Sequence, residues 1–319
     1  MNETQFHRGP DEGEIYREPG VGFGHRRLSI IDVASGQQPL FNEDRSVVVV
    51  FNGEIYNFQE LVPELQAAGH VFRTHSDTEV IVHGWEQWGE GVVQRLRGMF
   101  AFAVWDRQTR TLSLARDRLG VKPLVYAETG AGFAFASEIA TLFQVQPDLS
   151  RAPDYAAMDH YLTFQYIPAP LSGFRAIRKL PPAHAMIVHE GKVERVWRYW
   201  DIDHTLRSRL SFAEACEALR EQVLEATRIR LVSDVPLGAF LSGGVDSSIT
   251  VAAMARLARD PVKTYAIGFD DERFNELPYA REVARHLGTE HHEMTVRPRR
   301  WTSCRSWSSI WASPWPTIP

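Results

Sequence analysis

Cysteine is nearly missing from this chain: among 319 residues there are two, Cys216 and Cys304. Two thiols cannot build a disulfide framework or a thiolate zinc site. No apolar run approaches the length of a membrane span, and the opening MNETQFHRGPDEG has no apolar secretion-signal core. A formal charge of −5 offers no basic field to nucleic acid. The pattern G-x-x-x-x-G-K-[ST] does not occur, which excludes a Walker phosphate loop. These absences predict a soluble cytoplasmic protein without nucleic-acid or membrane partners. What remains is ordinary globular material, 44% hydrophobic and 24% charged, long enough for two domains.

The most informative stretch is Ser242-Gly243-Gly244-Val245-Asp246-Ser247-Ser248. Residues 235–241 (VPLGAFL) before it are apolar and β-prone enough for a buried strand, and residues 249–258 (ITVAAMARLA) after it read as a helix. A strand, a glycine turn and a helix start converge backbone N–H groups on one point, where the helix dipole favours an anion. Ser242, Ser247 and Ser248 add hydroxyls, and Asp246 could hold a divalent cation bridging phosphate oxygens. The plainer reading is a glycine turn that merely ends a strand. The loop resembles the pyrophosphate loop of ATP pyrophosphatases that adenylate a carboxyl group. With the preceding SDVPLG (residues 233–238), it is similar to that of glutamine-hydrolysing asparagine synthetases.

In the N-terminal half, residues 46–51 (SVVVVF) form a β-branched run expected to be a strand buried on both sides, ending on Asn52-Gly53-Glu54. Residues 24–32 alternate enough at their end for another strand. Residues 58–68 read as a helix closed by Gly69. Asn-Gly after a strand is most simply a turn. Yet HRGPD, RRLSIID, FNGEIYN, SDTEVI, RLRGMFAFAVWD, RDRLGVKPLVY and FASEI occur in that order. Together they resemble the glutaminase domain of class II glutamine amidotransferases, an N-terminal-nucleophile fold.

The resemblance implies site residues. Asn52 and the N–H of Gly53 would form an oxyanion hole, Arg27 would hold the α-carboxylate of glutamine, and Asp77 with Gly53-Glu54 its α-ammonium. Standing alone, Arg27 and Asp77 would read as a surface ion pair. The family's nucleophile, a cysteine at the mature N-terminus on a first strand, has no counterpart, since residues 1–215 contain no cysteine. As written, the chain is expected not to hydrolyse glutamine, and truncation is the favoured explanation.

Prolines in residues 165–184 suit a linker or interdomain wall, and residues 185–188 and 193–200 a hairpin around Glu190-Gly191-Lys192. Ser211 and Glu214 make a capping box, with Phe212, Ala215, Cys216, Leu219, Val223 and Ala226 as a core-facing stripe that buries Cys216. Strands over 262–269 and 291–296 flank a helix over 276–287, predicting a parallel, doubly wound sheet with ligand at the strand ends. Leu241 and Ile267 are the nucleoside contacts that the resemblance implies. His291-His292 invites a metal reading, but neighbours in a strand face opposite ways and are structural.

From Arg297 the text changes: RPRRWTSCRSWSSIWASPWPTIP holds four tryptophans, five serines and four prolines in 23 residues, with no period. Written in GC-rich codons and shifted by one base, it reads VDVLPELVEHLGEPMAD, which predicts a frame slip shortly before Trp301.

The expected architecture is therefore α/β. Residues 1–200 would be a layered αββα glutaminase domain without its first strand and nucleophile. Residues 201–298 would be part of an ATP-pyrophosphatase domain, and 299–319 an aberrant tail. The implied reaction is asparagine synthesis from aspartate, glutamine and ATP with Mg²⁺ through a β-aspartyl-AMP intermediate, in a possible homodimer. The alternatives are a carboxyl-adenylating relative that does not use glutamine, of the β-lactam synthetase or peptide cyclase type, and a non-catalytic glutamine- or nucleotide-binding fragment.

Overall fold

A computed structural model describes residues 2–296. They fall into two compact units, one up to Asp203 and the other from His204.

In the first unit, β1 (Glu12–Glu18) and β2 (Val21–Arg27) form a hairpin around Pro19-Gly20. The strand expected toward residue 32 ends at Arg27 instead. The segment that follows is a loop held by side chains: Asp11 accepts the Ser29 N–H, and Asp32 accepts from Ser35 and from the His75 N–H. Such local acceptors compete with a strand ladder.

After β3 (Leu40–Phe41), β4 (Val47–Ile55) runs straight through Asn52-Gly53 instead of turning there. It pairs with β5 (Gly98–Asp106) along its whole length. A Cβ on Gly53 would lie 2.1 Å from the Met99 carbonyl oxygen, so the glycine permits close strand approach. Between β4 and β5 come α1 (Phe58–Ala67), α2 (Glu79–Trp88) and the short α3 (Val92–Arg95). Gly69, at φ +106°, closes α1.

β6 (Thr111–Arg116), β7 (Val125–Thr129), β8 (Gly132–Ala136), α4 (Ile139–Val145) and α5 (Tyr155–Phe164) follow, then β9 (Arg178–Lys179), β10 (His184–His189) and β11 (Lys192–Arg198). The antiparallel strand order β11-β10-β6-β5-β4-β3 makes one sheet and β8-β7-β9 another. Val47 to Phe51 are all buried, as a strand covered on both faces requires. Val48 and Val50 join Ala101, Ala103, Leu114 and Met186 in a core that Phe133 and Phe135 of β8 close from the second sheet. α2 packs on β3 and β4, and α4 on β7 and β8, giving helix–sheet–sheet–helix layers.

The proline-bearing stretch 165–184 is not a linker. Ser172, Ile177 and Leu180 are buried, and β9 within it pairs with β7. Glu190 and Gly191, both at positive φ, make the two-residue turn between β10 and β11.

The second unit contains α6 (Phe212–Arg228), β12 (Gly238–Phe240), α7 (Val245–Leu257), β13 (Lys263–Phe269), α8 (Leu277–Leu287) and β14 (Glu290–Val296). Its strands are parallel and stand in chain order. Leu241, Val251, Ala266, Leu277, Ala280 and Ala284 form one cluster, so α7 and α8 cover the same face. Among the described residues the winding thus runs in one direction only.

The other face is bare: Phe240 is 78% exposed, Tyr265 42% and Ile267 44%. The expected fully buried strand before the loop is therefore a three-residue edge strand. The Ser211–Glu214 capping box is present, but the stripe behind it is not core: Phe212 is 87% exposed and Cys216 is exposed too. A helical period marks one face of α6 as apolar; burial also needs a partner surface, and α7 covers only part of it. The odd segment from Arg297 onward lies outside the described residues.

Candidate functional site

β4 sets up the first site through its alternation. Its even-numbered residues bond to β5, and the Tyr56 N–H continues this to the Arg97 carbonyl. Its odd-numbered residues therefore point their N–H groups to the opposite edge, where β3 pairs only as far as Val49. Beyond that point side chains take over. Gln38 Oε1 accepts the Phe51 N–H at 2.7 Å, and Asp77 Oδ2 accepts the Ile55 N–H at 2.8 Å. Between those two partners the Gly53 N–H points out of the same open edge. The Asn52 carboxamide beside it makes no hydrogen bond among the described residues. An N–H and a carboxamide at one open strand edge can together hold a developing oxyanion.

Arg27, Asn52, Gly53, Glu54 and Asp77 all line one cavity of about 520 Å³. The surface-ion-pair reading of Arg27 and Asp77 is overturned, for both are buried. Arg27 stands at the end of β2, with Nη1 donating to Glu12 Oε2 at 3.1 Å and Nη2 to the Ile31 and Asp32 carbonyls. These bonds lock the guanidinium in orientation.

Asp77 sits just before α2. Burial pushes its carboxyl up to about 6, against the pull of the Ile55, Asp77 and Thr78 N–H groups and of Arg27. His25, its Nε2 donating to the Phe51 carbonyl at 2.9 Å, is pushed down to about 4, mainly by burial. It stays neutral beside the cavity.

Sequence reasoning did not single out Gln38, His7, Arg8 or Lys122, which also line the cavity. Burial lowers the Lys122 ammonium, and Arg8 adds to the effect. Asp117 holds the loop that presents Lys122 by accepting from the Leu119, Val121 and Lys122 N–H groups. The signal was there, since HRGPD and GVKP are among the ordered blocks, but nothing in them marks which residues face inward.

A model of the glutamine amidotransferase domain matches residues 1–200. The chain belongs to that family. A model described as asparagine synthase matches residues 218–305. Asparagine synthetase [glutamine-hydrolyzing] 1 of Bacillus subtilis is 36% identical over 305 residues, covering 94% of this chain and 47% of that protein. Asparagine synthetase 3 of the same organism is also 36% identical, covering 93% and 50%. A putative asparagine synthetase of Methanocaldococcus jannaschii is 32% identical, covering 94% and 61%. The chain thus spans about half the length of the B. subtilis relatives. Within the amidotransferase domain no cysteine lines the cavity; the one described cysteine, Cys216, is on α6 in the other unit.

In the asparagine synthase segment, Gly243 at φ +81° turns the chain out of β12. A Cβ there would lie 2.5 Å from the Tyr279 carbonyl carbon. α7 then starts on Gly244, whose lack of a side chain leaves the first-turn N–H groups without a cap. Ser242 Oγ and Ser247 Oγ lie 2.9 Å apart, and Ser242 Oγ accepts the Gly244 N–H. Asp246 is exposed in the first turn. An uncapped helix start ringed by hydroxyls and a free carboxylate suits a phosphate with a divalent cation. Leu241 and Ile267 are placed differently: the Leu241 side chain is buried in the core and offers only its backbone, whereas Ile267 is part exposed on β13. His291 bonds to Thr264 and His292 stacks on Tyr265, on opposite faces, as a structural reading requires.

Proposed function

We propose that the first unit binds glutamine and the second a nucleoside triphosphate, and that both belong to a soluble, cytoplasmic, glutamine-dependent asparagine synthetase, a ligase. The observation that carries this reading is the open edge of β4. Gly53 N–H and the Asn52 carboxamide stand there unclaimed, in the same cavity as a locked buried cation, Arg27, and a buried carboxyl, Asp77.

Glutamine brings complementary charges. Its α-carboxylate meets Arg27, whose planar fork suits bidentate pairing. Its α-ammonium meets the Asp77 carboxylate, ionised above about pH 6, with Glu54 alongside. Its side-chain carbonyl is left to Asn52 and Gly53, donors set where negative charge develops when the amide is attacked. Attack itself needs a thiolate or an equivalent nucleophile. None of the described residues supplies a cysteine to the cavity, so this chain binds glutamine without cleaving it.

In the second unit, Ser242, Gly243, Gly244 and Ser247 would cradle the phosphates of ATP, with Leu241 and Ile267 beside the nucleoside. Asp246 would hold Mg²⁺, which when bound neutralises phosphate charge and eases departure of pyrophosphate. Aspartate, the acceptor carboxylate of the whole reaction, completes the substrate set.

Calorimetry of the 319-residue chain tests this, with glutamine and ATP·Mg²⁺ titrated separately beside an ammonia-release assay. Saturable glutamine binding without ammonia release is expected. Ammonia release would refute the account of the nucleophile, and no glutamine binding would refute the pocket.

A further inference from the structure

Away from the glutamine cavity, the loop after β3, the turn after α1 and the outer part of α2 bring Glu43, His70, His83 and Glu86 together. One ligand atom from each lies within 4.8 Å of all the others. The two imidazoles are oriented from behind. His83, fully buried, points Nε2 at Glu79 Oε1 at 3.3 Å. Glu79 is itself buried, and its carboxylate accepts from the Arg73 and Thr74 N–H groups and the Thr74 hydroxyl. With both of its oxygens already accepting from these donors, Glu79 accepts from His83 as well, so Nε2 carries the proton. That leaves Nδ1 facing Glu43 Oε2 at 3.4 Å without a hydrogen bond. His70 is held on both sides: Nε2 lies 3.3 Å from Gln87 Oε1, and Nδ1 is hydrogen-bonded to Glu43 Oε1 at 3.2 Å and lies 3.7 Å from Glu86 Oε2.

The unpartnered, buried His83 Nδ1 and the His70 Nδ1 therefore face the same two carboxylates, a donor set that suits a divalent cation. The spacing is compatible with a small tetrahedral ion. Tetrahedral zinc with bonds of about 2.0–2.1 Å holds its ligand atoms ~3.4 Å apart. The His83 Nδ1–Glu43 Oε2 and His70 Nδ1–Glu86 Oε2 separations, 3.4 and 3.7 Å, lie near that value, within a set that spans up to 4.8 Å. A carboxylate behind a ligating histidine is also how such rings are oriented. Asn42 Nδ2, donating to Glu86 Oε2 at 3.1 Å, steadies the remaining ligand.

We propose that Glu43, His70, His83 and Glu86 form a structural zinc site that pins α1, α2 and the β3–β4 loop together. All four positions are taken by protein, which leaves none open for catalysis.

The test strips the full chain with chelator, titrates ZnCl₂ by calorimetry and counts bound metal by elemental analysis. One Zn²⁺ per chain is expected. With free zinc at about 100-fold over Kd, the melting temperature of the first unit should rise by roughly 5–10 °C. Glu86→Gln alters a partly exposed ligand and should weaken binding at least ~10-fold while leaving circular dichroism unchanged. His70→Asn/His83→Asn should abolish binding. No zinc uptake, or either variant binding as tightly as the parent, overturns the site; Glu86→Gln keeps the test intact if the double variant fails to fold.

Discussion

Replacing Asp77 by asparagine removes a charge that the fold holds against its own stability. The carboxyl titrates near 3.8 in an unfolded chain and at about 6 in place, because burial outweighs the N–H groups and Arg27 around it. A carboxyl raised on folding takes up a proton as the chain folds, so stability falls as pH rises from about 4 to about 6 and is level above that. At ~1.4 kcal/mol per pH unit, that interval makes ionised Asp77 a burden of at most about 3 kcal/mol at pH 7. The carboxamide introduced by Asp77→Asn keeps an oxygen for the Ile55 N–H, which now bonds Asp77 Oδ2 at 2.8 Å. Denaturant unfolding of the first unit between pH 4 and 8 should therefore show Asp77→Asn and parent nearly equal at pH 4. By pH 7 the variant should be more stable by up to ~3 kcal/mol. Glutamine affinity should move the other way, falling in the variant. In the parent it should weaken about tenfold per pH unit below 6, as the carboxylate that meets the ammonium is protonated. Parallel stability profiles, or unimpaired glutamine binding by the variant, would refute the assignment.

Arg27→Lys loses the planar fork and two carbonyl contacts, so glutamine affinity should drop ~10–100-fold by calorimetry. Gly53→Ala drives a Cβ to 2.1 Å from the Met99 oxygen and should destabilise the first unit by about 1–3 kcal/mol or more, read as a lower melting temperature. Gly243→Ala meets the Tyr279 backbone at 2.5 Å and a φ of +81°, so ATP·Mg²⁺ binding should be lost while glutamine binding persists. Ser211→Ala removes a satisfied cap and should cost α6 about 1 kcal/mol, with no effect on either ligand.

Local chemistry was legible along the chain. The β-branched run became the buried β4, Gly69 closed α1, and Ser211 capped α6. Each depends on contacts within a few residues, which spacing can encode. Ordered motifs likewise carried the family, because a pocket built from fixed elements leaves its residues in fixed order.

Only the tertiary structure decided what those residues meet. Asn52-Gly53 has the letters of a turn, yet lies mid-strand because β5 approaches where a side chain would clash. Arg27 and Asp77 look like a surface pair until Glu12, two loop carbonyls and the Ile55 N–H bury them. The apolar stripe of α6 and the strand before the Ser242–Ser248 loop have the pattern of buried elements and stand largely outside, since periodicity marks a face without providing its cover. The convergence of His70 and His83 on Glu43 has no sequence signature at all: its members come from two loops and a helix, and packing alone brings them together.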